Sequence, residues 1–246
     1  MNTENLLNGV ENTLYIPLAA RIYVSEKFPK FFYDEKALSL KQYIPTNSIA
    51  NNTAEYFYMA SVCRQQTIDK KIVKFLEENN QSNVVFLGAG LETAYNRINN
   101  IKSSFYQVDL PDVINIRKRV LGNADNERLI SGNMFTFEWI RELDTSLSTM
   151  IVVSGVYQYF DKSKIIEMIK KMKLELDDLK VVFAQRLDSR YRRGGVSEPA
   201  KPHQRLKSIK KHGRDVGILL PGRDSQGFVG HAQGVVILLR LYQNGG

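Results

Sequence analysis

The sequence predicts an α/β fold with a mostly parallel sheet, and two patterns carry the prediction. Short apolar runs alternate with helical segments between residues 84 and 183, which is typical of strand–helix–strand units. The first run, VVFL at residues 84–87, ends abruptly in Gly-Ala-Gly. Because ligands bind at the carboxyl ends of parallel strands, this glycine turn is the first candidate binding element.

Each element follows from a local pattern. One helix is predicted in TIDKKIVKFLEEN, where Ile68, Ile72, Phe75 and Leu76 share a face. Proline at position 111 favours a helix that begins there and continues to residue 121. The other predicted elements, in chain order, are a short helix near 93–98, a strand near 105–108, strands near 128–130 and at 150–153, an amphipathic helix through Ile165, Ile166, Ile169 and Met172, and a strand at 180–183.

Periodicity separates a helical N-terminal region (1–80) from an α/β core (81–183), and composition separates both from a basic, Gly- and Arg-rich tail (184–246). The tail has 12 Lys and Arg against 4 Asp and Glu, whereas residues 1–183 have 22 of each. The tail runs VGILL and GVVILLRLY are candidate final strands. A shifted reading frame near residue 183 is the other explanation of the abrupt change in composition.

Several classes of protein are excluded or disfavoured. The N-terminus lacks the basic stretch, apolar core and small-residue cleavage site of a signal peptide, so we expect a cytoplasmic protein without a membrane span. The single cysteine, Cys63, excludes an intramolecular disulfide and a cysteine-cluster metal site. His203, His212 and His231 lack metal-ligand spacing, so we expect no metal, and no catalytic residue is assigned.

A second acid strengthens the glycine turn as a candidate site. Asp109 ends the second predicted strand, 21 residues after Gly88, where a carboxylate is able to accept hydrogen bonds from ribose hydroxyls. The third glycine of a dinucleotide fingerprint is absent, because Leu91 and Glu92 follow Gly90. The alternative interpretation is a tight strand-to-helix turn in which Asp109 caps the helix that begins at Pro111.

Six segments together resemble the leucine carboxyl methyltransferase family and its bacterial polyketide-type O-methyltransferase relatives over residues 10–183. They are ENTLYIPLAARIYVSEKFPKFFYDEKAL, CRQQTIDKKIVKFL, VVFLGAGLETAYNRI, FYQVDLPDVINIRKRVL, SGNMFTFEWI and IVVSGVYQYF. The resemblance implies a Rossmann-like class I methyltransferase sheet with a helical N-terminal cap, and S-adenosylmethionine as cofactor. The tail does not match, so the C-terminal part is expected to be atypical.

The resemblance also implies roles for particular residues. Gly88 and Gly90 would lie beside the methionine portion of the cofactor, Asp109 on its ribose, and Arg64 on its carboxylate, which a guanidinium fork meets with two hydrogen bonds. Arg21 is a further arginine able to face the site. The remaining cofactor-binding residues expected from the resemblance are Ala89, Leu110, Asn133, Met134 and Ser154.

Two of these positions differ from the family pattern. Asn133 stands where many relatives have an acid, so its contact with the adenine edge would be neutral. Ser154 stands where the leucine-specific branch commonly has a glutamate, which favours the small-molecule branch. Of Tyr157 and Tyr159, one is expected to face the site and the other the core.

The expected function is therefore methyl transfer to a hydroxyl or carboxyl oxygen of a small-molecule acceptor. The first alternative is an inactive binding protein on a methyltransferase scaffold. The second is a nucleic-acid-binding protein that uses the basic tail. The tail lacks the interleaved aromatic residues of a stacking platform, so nucleic acid is the less favoured partner.

Overall fold

The computed structural model describes residues 14–44, 55–186, 218–219 and 234–241. The three histidines and most of the basic tail lie outside the described residues. The described part begins with helical cap elements and continues into a core of alternating strands and helices. The cap helices are α1 (Tyr15–Lys27), α2 (Glu35–Ser39), a 3₁₀ turn (Lys41–Tyr43) and α3 (Glu55–Glu78).

The core follows the predicted alternation. Its helices are α4 (Ala94–Ile98), α5 (Pro111–Leu121) and α6 (Lys162–Glu175). Its strands are β1 (Asn83–Leu87), β2 (Ser104–Asp109), β3 (Glu127–Ser131), β4 (Thr149–Ser154) and β5 (Leu179–Arg186), followed by β6 (Ile218–Leu219) and β7 (Gly234–Leu241).

The strands form one sheet in the order β3-β2-β1-β4-β5-β7-β6. Strands β1 to β5 are parallel, as predicted, and β7 runs antiparallel to both β5 and β6. The chain moves outward in one direction from β1 to β3 and in the other from β4 to β5, and β7 lies between β5 and the edge strand β6. This reversal forms a switch point between β1 and β4, where open α/β sheets bind ligands.

Both faces of the sheet are covered by apolar side chains. On one face, the predicted stripe of α3 is buried together with Val84, Phe86 and Phe105. On the other face, Met168 and Met172 of α6 pack with Trp139 against the opposite sides of the same strands. Strands β1 and β4 are therefore buried along almost their whole length, which fixes the ends that carry the candidate site.

One predicted boundary is wrong. The apolar stripe placed the start of the helix near Thr67, with Arg64 in the segment before it. Helix α3 instead begins at Glu55, so Arg64 lies within the helix. The apolar face extends toward the N-terminus through Tyr58 and Val62, which pack against α1, and this tertiary contact continues the helix beyond the stripe.

A cluster of five charged side chains joins the cap to the core, and we call it the cap cluster: Arg21, Asp34, Asp69, Glu92 and Arg97. Arg97 of α4 lies at its centre, with its guanidinium 2.5 Å from Asp34, 2.8 Å from Asp69 and 3.0 Å from Glu92. Arg21 lies 3.3 Å from Asp34 and 3.8 Å from Glu92. Four structural elements and the loop after β1 are thus fixed by one buried ionic network.

The network offsets the desolvation of Glu92, whereas burial outweighs the Arg97 charge at Asp69 and raises the pKa of that carboxyl. Burial on its own would raise the pKa of Glu92, but the guanidinium groups of Arg21 and Arg97 lower it to about 2. Asp34 is fully buried, accepts a hydrogen bond from the Thr93 hydroxyl and also caps α2 through the Ala37 amide. Since one carboxylate serves both arginines, its loss would leave two buried cations undercompensated.

We predict that Asp34→Asn loosens the cap. Asparagine keeps a carbonyl oxygen for the α2 cap but turns an NH₂ group toward Arg21, Arg97 and Thr93. The free energy of unfolding should fall by about 3 to 5 kcal/mol, as when a buried pair loses one partner. Chemical denaturation measures the loss. Lys41→Gln, which breaks the exposed pair with Glu26, should cost less than about 1 kcal/mol; equal losses would contradict a structural role for the cluster.

Candidate functional site

The candidate site lies where the carboxyl ends of β1 to β4 meet. Backbone hydrogen bonds join neighbouring strand ends there. The amides of Gly88 and Ala89 donate to the Val108 carbonyl, and Gly132 donates to Asp109 at 2.9 Å. On the other side, Gly155 after β4 donates to Ala184 of β5 at 2.8 Å. These bonds give the edge a defined backbone shape before any ligand binds.

The glycine turn after β1 needs glycine for two reasons. Gly88 and Gly90 have φ angles of +69° and +51°, which L side chains rarely adopt. A Cβ on Gly88 would also lie 2.4 Å from Val156 Cγ2, and one on Gly90 would lie 2.9 Å from Leu14 Cδ2. Val156 and Leu14, rather than a ligand, lie against the two glycines. A ligand at this turn would therefore contact the edges of the peptide groups.

Asp109 joins the turn to the end of β2. Its Oδ2 accepts from the Gly90 amide at 2.7 Å and its Oδ1 from the Leu110 amide at 2.8 Å. Burial raises the pKa of Asp109, while these two amides and the Arg117 charge oppose the rise. Helix α5 has no side-chain cap, so the alternative in which Asp109 caps that helix is wrong. Each carboxylate oxygen retains a lone pair for a ligand.

Other predicted residues lie along the same edge. Leu110, Asn133 and Ser154 are exposed there, after β2, after β3 and at the end of β4 respectively. Asn133 Oδ1 accepts from the Phe135 amide, which leaves its NH₂ group as the group able to face a ligand. Met134 is half-buried, and its carbonyl accepts from the Trp139 indole.

The two arginines considered from sequence have different surroundings. Arg21 is buried in the cap cluster, and its guanidinium also donates to the Leu91 carbonyl at 2.6 Å. Arg64 is half-buried on α3, five residues before Asp69 of the cap cluster. Arg21 therefore supports the loop after the glycine turn, and Arg64 stays the candidate for a cofactor carboxylate.

The two tyrosines after β4 differ in how deeply they are buried. The Tyr157 ring packs on Phe183 with 4.8 Å between centroids, and its buried hydroxyl has no partner among the described residues. Burial raises the pKa of Tyr157, which keeps the phenol neutral. Tyr159 is 57% exposed. Tyr157 is therefore the core-facing member of the pair.

Two residues with clear roles at the turn were not predicted as such. Glu92 lies two residues after Gly90 and joins the turn to the cap cluster. Its acidic side chain was the sequence feature that could have indicated this role. Arg117 reaches the turn from α5 and donates to the carbonyls of Gly90 and Glu92. Arg117 lies three residues after Ile114 and four before Leu121, on the apolar face of α5, unlike the exposed Lys118 and Arg119, so this helical spacing was the available signal.

Two exclusions apply to the described part of the chain. No group of three or more His, Cys, Asp or Glu residues there is arranged to hold a metal ion. Within the same residues, no helix combines the length and the apolar character needed to cross a lipid bilayer.

Comparison with known proteins identifies a family and one fold. Residues 17–173 match the family model described as leucine carboxyl methyltransferase. The tetracenomycin polyketide synthesis O-methyltransferase TcmP of Streptomyces glaucescens is 25% identical over 178 residues, which are 72% of this chain and 66% of that protein. The CurJ carbon methyltransferase aligns with a TM-score of 0.52 at 10% identity, over 98% of this chain and 70% of that one.

We predict that Gly88→Ala strongly destabilises the fold. Gly155→Ala is a matched control, since φ is +72° and no described atom lies within 4 Å of its Cβ position. The control should cost about 1 to 2 kcal/mol from backbone strain alone. Gly88→Ala should cost about 1 to 3 kcal/mol more through overpacking on Val156, and Val156→Ala in the same chain should recover part of that excess. Chemical denaturation compares the variants, and equal losses would contradict the contact.

Proposed function

Because the chain belongs to the leucine carboxyl methyltransferase family, we propose that it transfers a methyl group to an oxygen atom of a small-molecule acceptor. The family is one of methyltransferases, and its cofactor is S-adenosylmethionine. We propose here which residues bind this cofactor and which class of acceptor receives the methyl group.

The observation that carries the proposal is the position of the Asp109 carboxylate. It lies at the end of β2 beside the switch point between β1 and β4, and it is held by two backbone amides. A carboxylate in this place suits two neighbouring ribose hydroxyls, because it accepts from both without changing its own geometry. The donor and acceptor groups of the edge therefore fit a nucleoside.

The remaining edge residues fit the rest of the cofactor. Leu110 is 56% exposed beside Asp109 and offers apolar surface to a purine, while the Asn133 amide offers hydrogen bonds to its edge. Gly88, Ala89 and Gly90 supply backbone carbonyls for the ammonium of the amino-acid portion, since their amides donate within the protein, and Ser154 supplies a hydroxyl beside it. Met134 supports the Asn133 turn through its bond to Trp139.

The chemistry demands little of the protein. When bound, S-adenosylmethionine supplies a methyl group on a sulfonium, so the bond from the methyl carbon to sulfur breaks as the bond to the acceptor oxygen forms. The residues of the edge need to align the acceptor oxygen opposite that sulfur and to exclude water, which lowers the barrier through proximity. A carboxylate acceptor needs no base, whereas a hydroxyl acceptor gives up a proton to solvent or a base.

Oxygen as the acceptor atom has two sources of support. The relative TcmP is named as an O-methyltransferase of polyketide synthesis, which suits a small aromatic or carboxylic acceptor. Ser154 at the end of β4 is neutral, so no side-chain charge at that position would repel an acceptor that carries a carboxyl or phenol group. An inactive binding protein remains the second candidate, and turnover decides between the two.

The acceptor class is tested with tritium-labelled S-adenosylmethionine and a panel of phenols, alcohols and carboxylic acids. A methyl ester releases volatile methanol in mild base, whereas a methyl ether does not. Labelled product in either fraction supports the proposed function. Cofactor binding without labelled product for any oxygen acceptor, together with turnover of an amine panel, would overturn the oxygen specificity.

We predict that Asp109→Ala weakens binding of S-adenosylmethionine by about tenfold to a hundredfold, because hydrogen bonds to a charged acceptor are lost. Calorimetric titration measures the dissociation constant. Asp112→Ala is the matched control, since Asp112 is an exposed acid three residues further on. If both variants bind like the parent protein, Asp109 does not contact the cofactor.

We predict that Arg64→Lys does not preserve cofactor binding. A planar guanidinium meets both oxygens of a carboxylate at once, whereas an ammonium offers one compact charge at a different reach. S-adenosylmethionine should bind about tenfold more weakly, while 5′-methylthioadenosine, which lacks the carboxylate, should bind equally to both proteins. Arg119→Lys, on the exposed face of α5, controls for the substitution. Parent-like affinity in Arg64→Lys would place Arg64 outside the site.

A further inference from the structure

Two buried arginines hold three consecutive carbonyls of the loop after the glycine turn. Arg117 of α5 is 1% exposed and donates from Nη1 to the Gly90 carbonyl at 3.2 Å and the Glu92 carbonyl at 2.7 Å. Arg21 of α1 donates to the carbonyl between them, that of Leu91. The cap and the core thus each contribute one guanidinium to the same short piece of backbone.

Arg117 is itself fixed in place. Its Nη2 donates to Glu127 at 2.5 Å, and the same carboxylate oxygen accepts from the Gln107 amide group of β2 at 2.9 Å. Glu127 begins β3, so the guanidinium is anchored to the sheet. Burying a charged guanidinium requires such compensation.

The amides of this loop are almost all used. From Gly88 to Ala94, the amides donate to Val108, to Asp109, to Ala89 or to the Glu92 carboxylate. The exception is Leu91, whose amide makes no hydrogen bond to any other described residue. Leu91 is 5% exposed, so a donor remains open in a largely buried loop.

The Gly90 carbonyl and the Leu91 amide belong to one peptide group. In a planar trans peptide these two groups point in opposite directions. Because Arg117 holds the carbonyl toward α5, it also turns the Leu91 amide away from α5. Rotation of this peptide would break the bond to Arg117, so the guanidinium fixes the direction of the open donor.

We propose that Arg117 is a positioning residue for the cofactor, one that holds the Gly90–Leu91 peptide so that the Leu91 amide donates to an oxygen of the bound ligand. The inference rests on the proposed function and deepens it. Two oxygens of the cofactor have the required chemistry, a ribose hydroxyl and the amino-acid carboxylate. Adenosine carries only the first, which allows the two sources to be distinguished.

The test compares Arg117→Lys with the parent by calorimetric titration of S-adenosylhomocysteine. One ammonium cannot span two carbonyls and Glu127, so affinity should fall by about tenfold or more. Met172→Ala is the matched control, since Met172 is fully buried on α6 within the opposite apolar cluster. It should lower the thermal midpoint while leaving the dissociation constant within about threefold.

A second measurement follows the amide itself in the parent protein. Saturation with S-adenosylhomocysteine should slow hydrogen exchange of the Leu91 amide, and adenosine should do so too if the ribose is the acceptor. If saturation leaves hydrogen exchange of the Leu91 amide unchanged, or if Arg117→Lys binds with parent-like affinity, this inference is overturned while the proposed function is not. A parent protein that does not bind S-adenosylhomocysteine would overturn the proposed function and this inference with it.

Discussion

The buried cap cluster is the constraint on which the candidate site depends. Arg97 holds the carboxylates of α2, α3 and the glycine loop together, and Arg21 extends the network to a backbone carbonyl of that loop. An uncompensated charge in such a place is strongly destabilising, so its five members favour one arrangement together. The cap is thereby fixed relative to the carboxyl edge, and the loop after the glycine turn takes its shape from both sides.

The glycine turn shows how tightly this arrangement is packed. Val156 from the loop after β4 and Leu14 from the cap occupy the positions that side chains at Gly88 and Gly90 would need. The turn is therefore adapted to its own protein neighbours. In the proposed site a ligand would meet the peptide edges and the Asp109 carboxylate, whose geometry the backbone fixes in advance.

Most of the fold, but only part of the candidate site, could be predicted from local sequence patterns. Helix α5 begins at Pro111 as predicted, and β1 and β4 were found because long apolar runs specify buried strands. The start of α3 was missed because Tyr58 and Val62 are ordered by contact with α1, which no local pattern records. The roles of Arg21 and Arg117 likewise depend on ion pairs with residues elsewhere in the chain, Glu92 for Arg21 and Glu127 for Arg117.

We propose that the cofactor's ribose lies on Asp109, at the edge between β1 and β4. A crystal structure with S-adenosylhomocysteine tests this placement. Both ribose hydroxyls should lie within hydrogen-bond distance of the Asp109 carboxylate, which keeps its bond to the Gly90 amide. A ligand whose ribose contacts other groups, with Asp109 bound only to backbone amides, would contradict this placement.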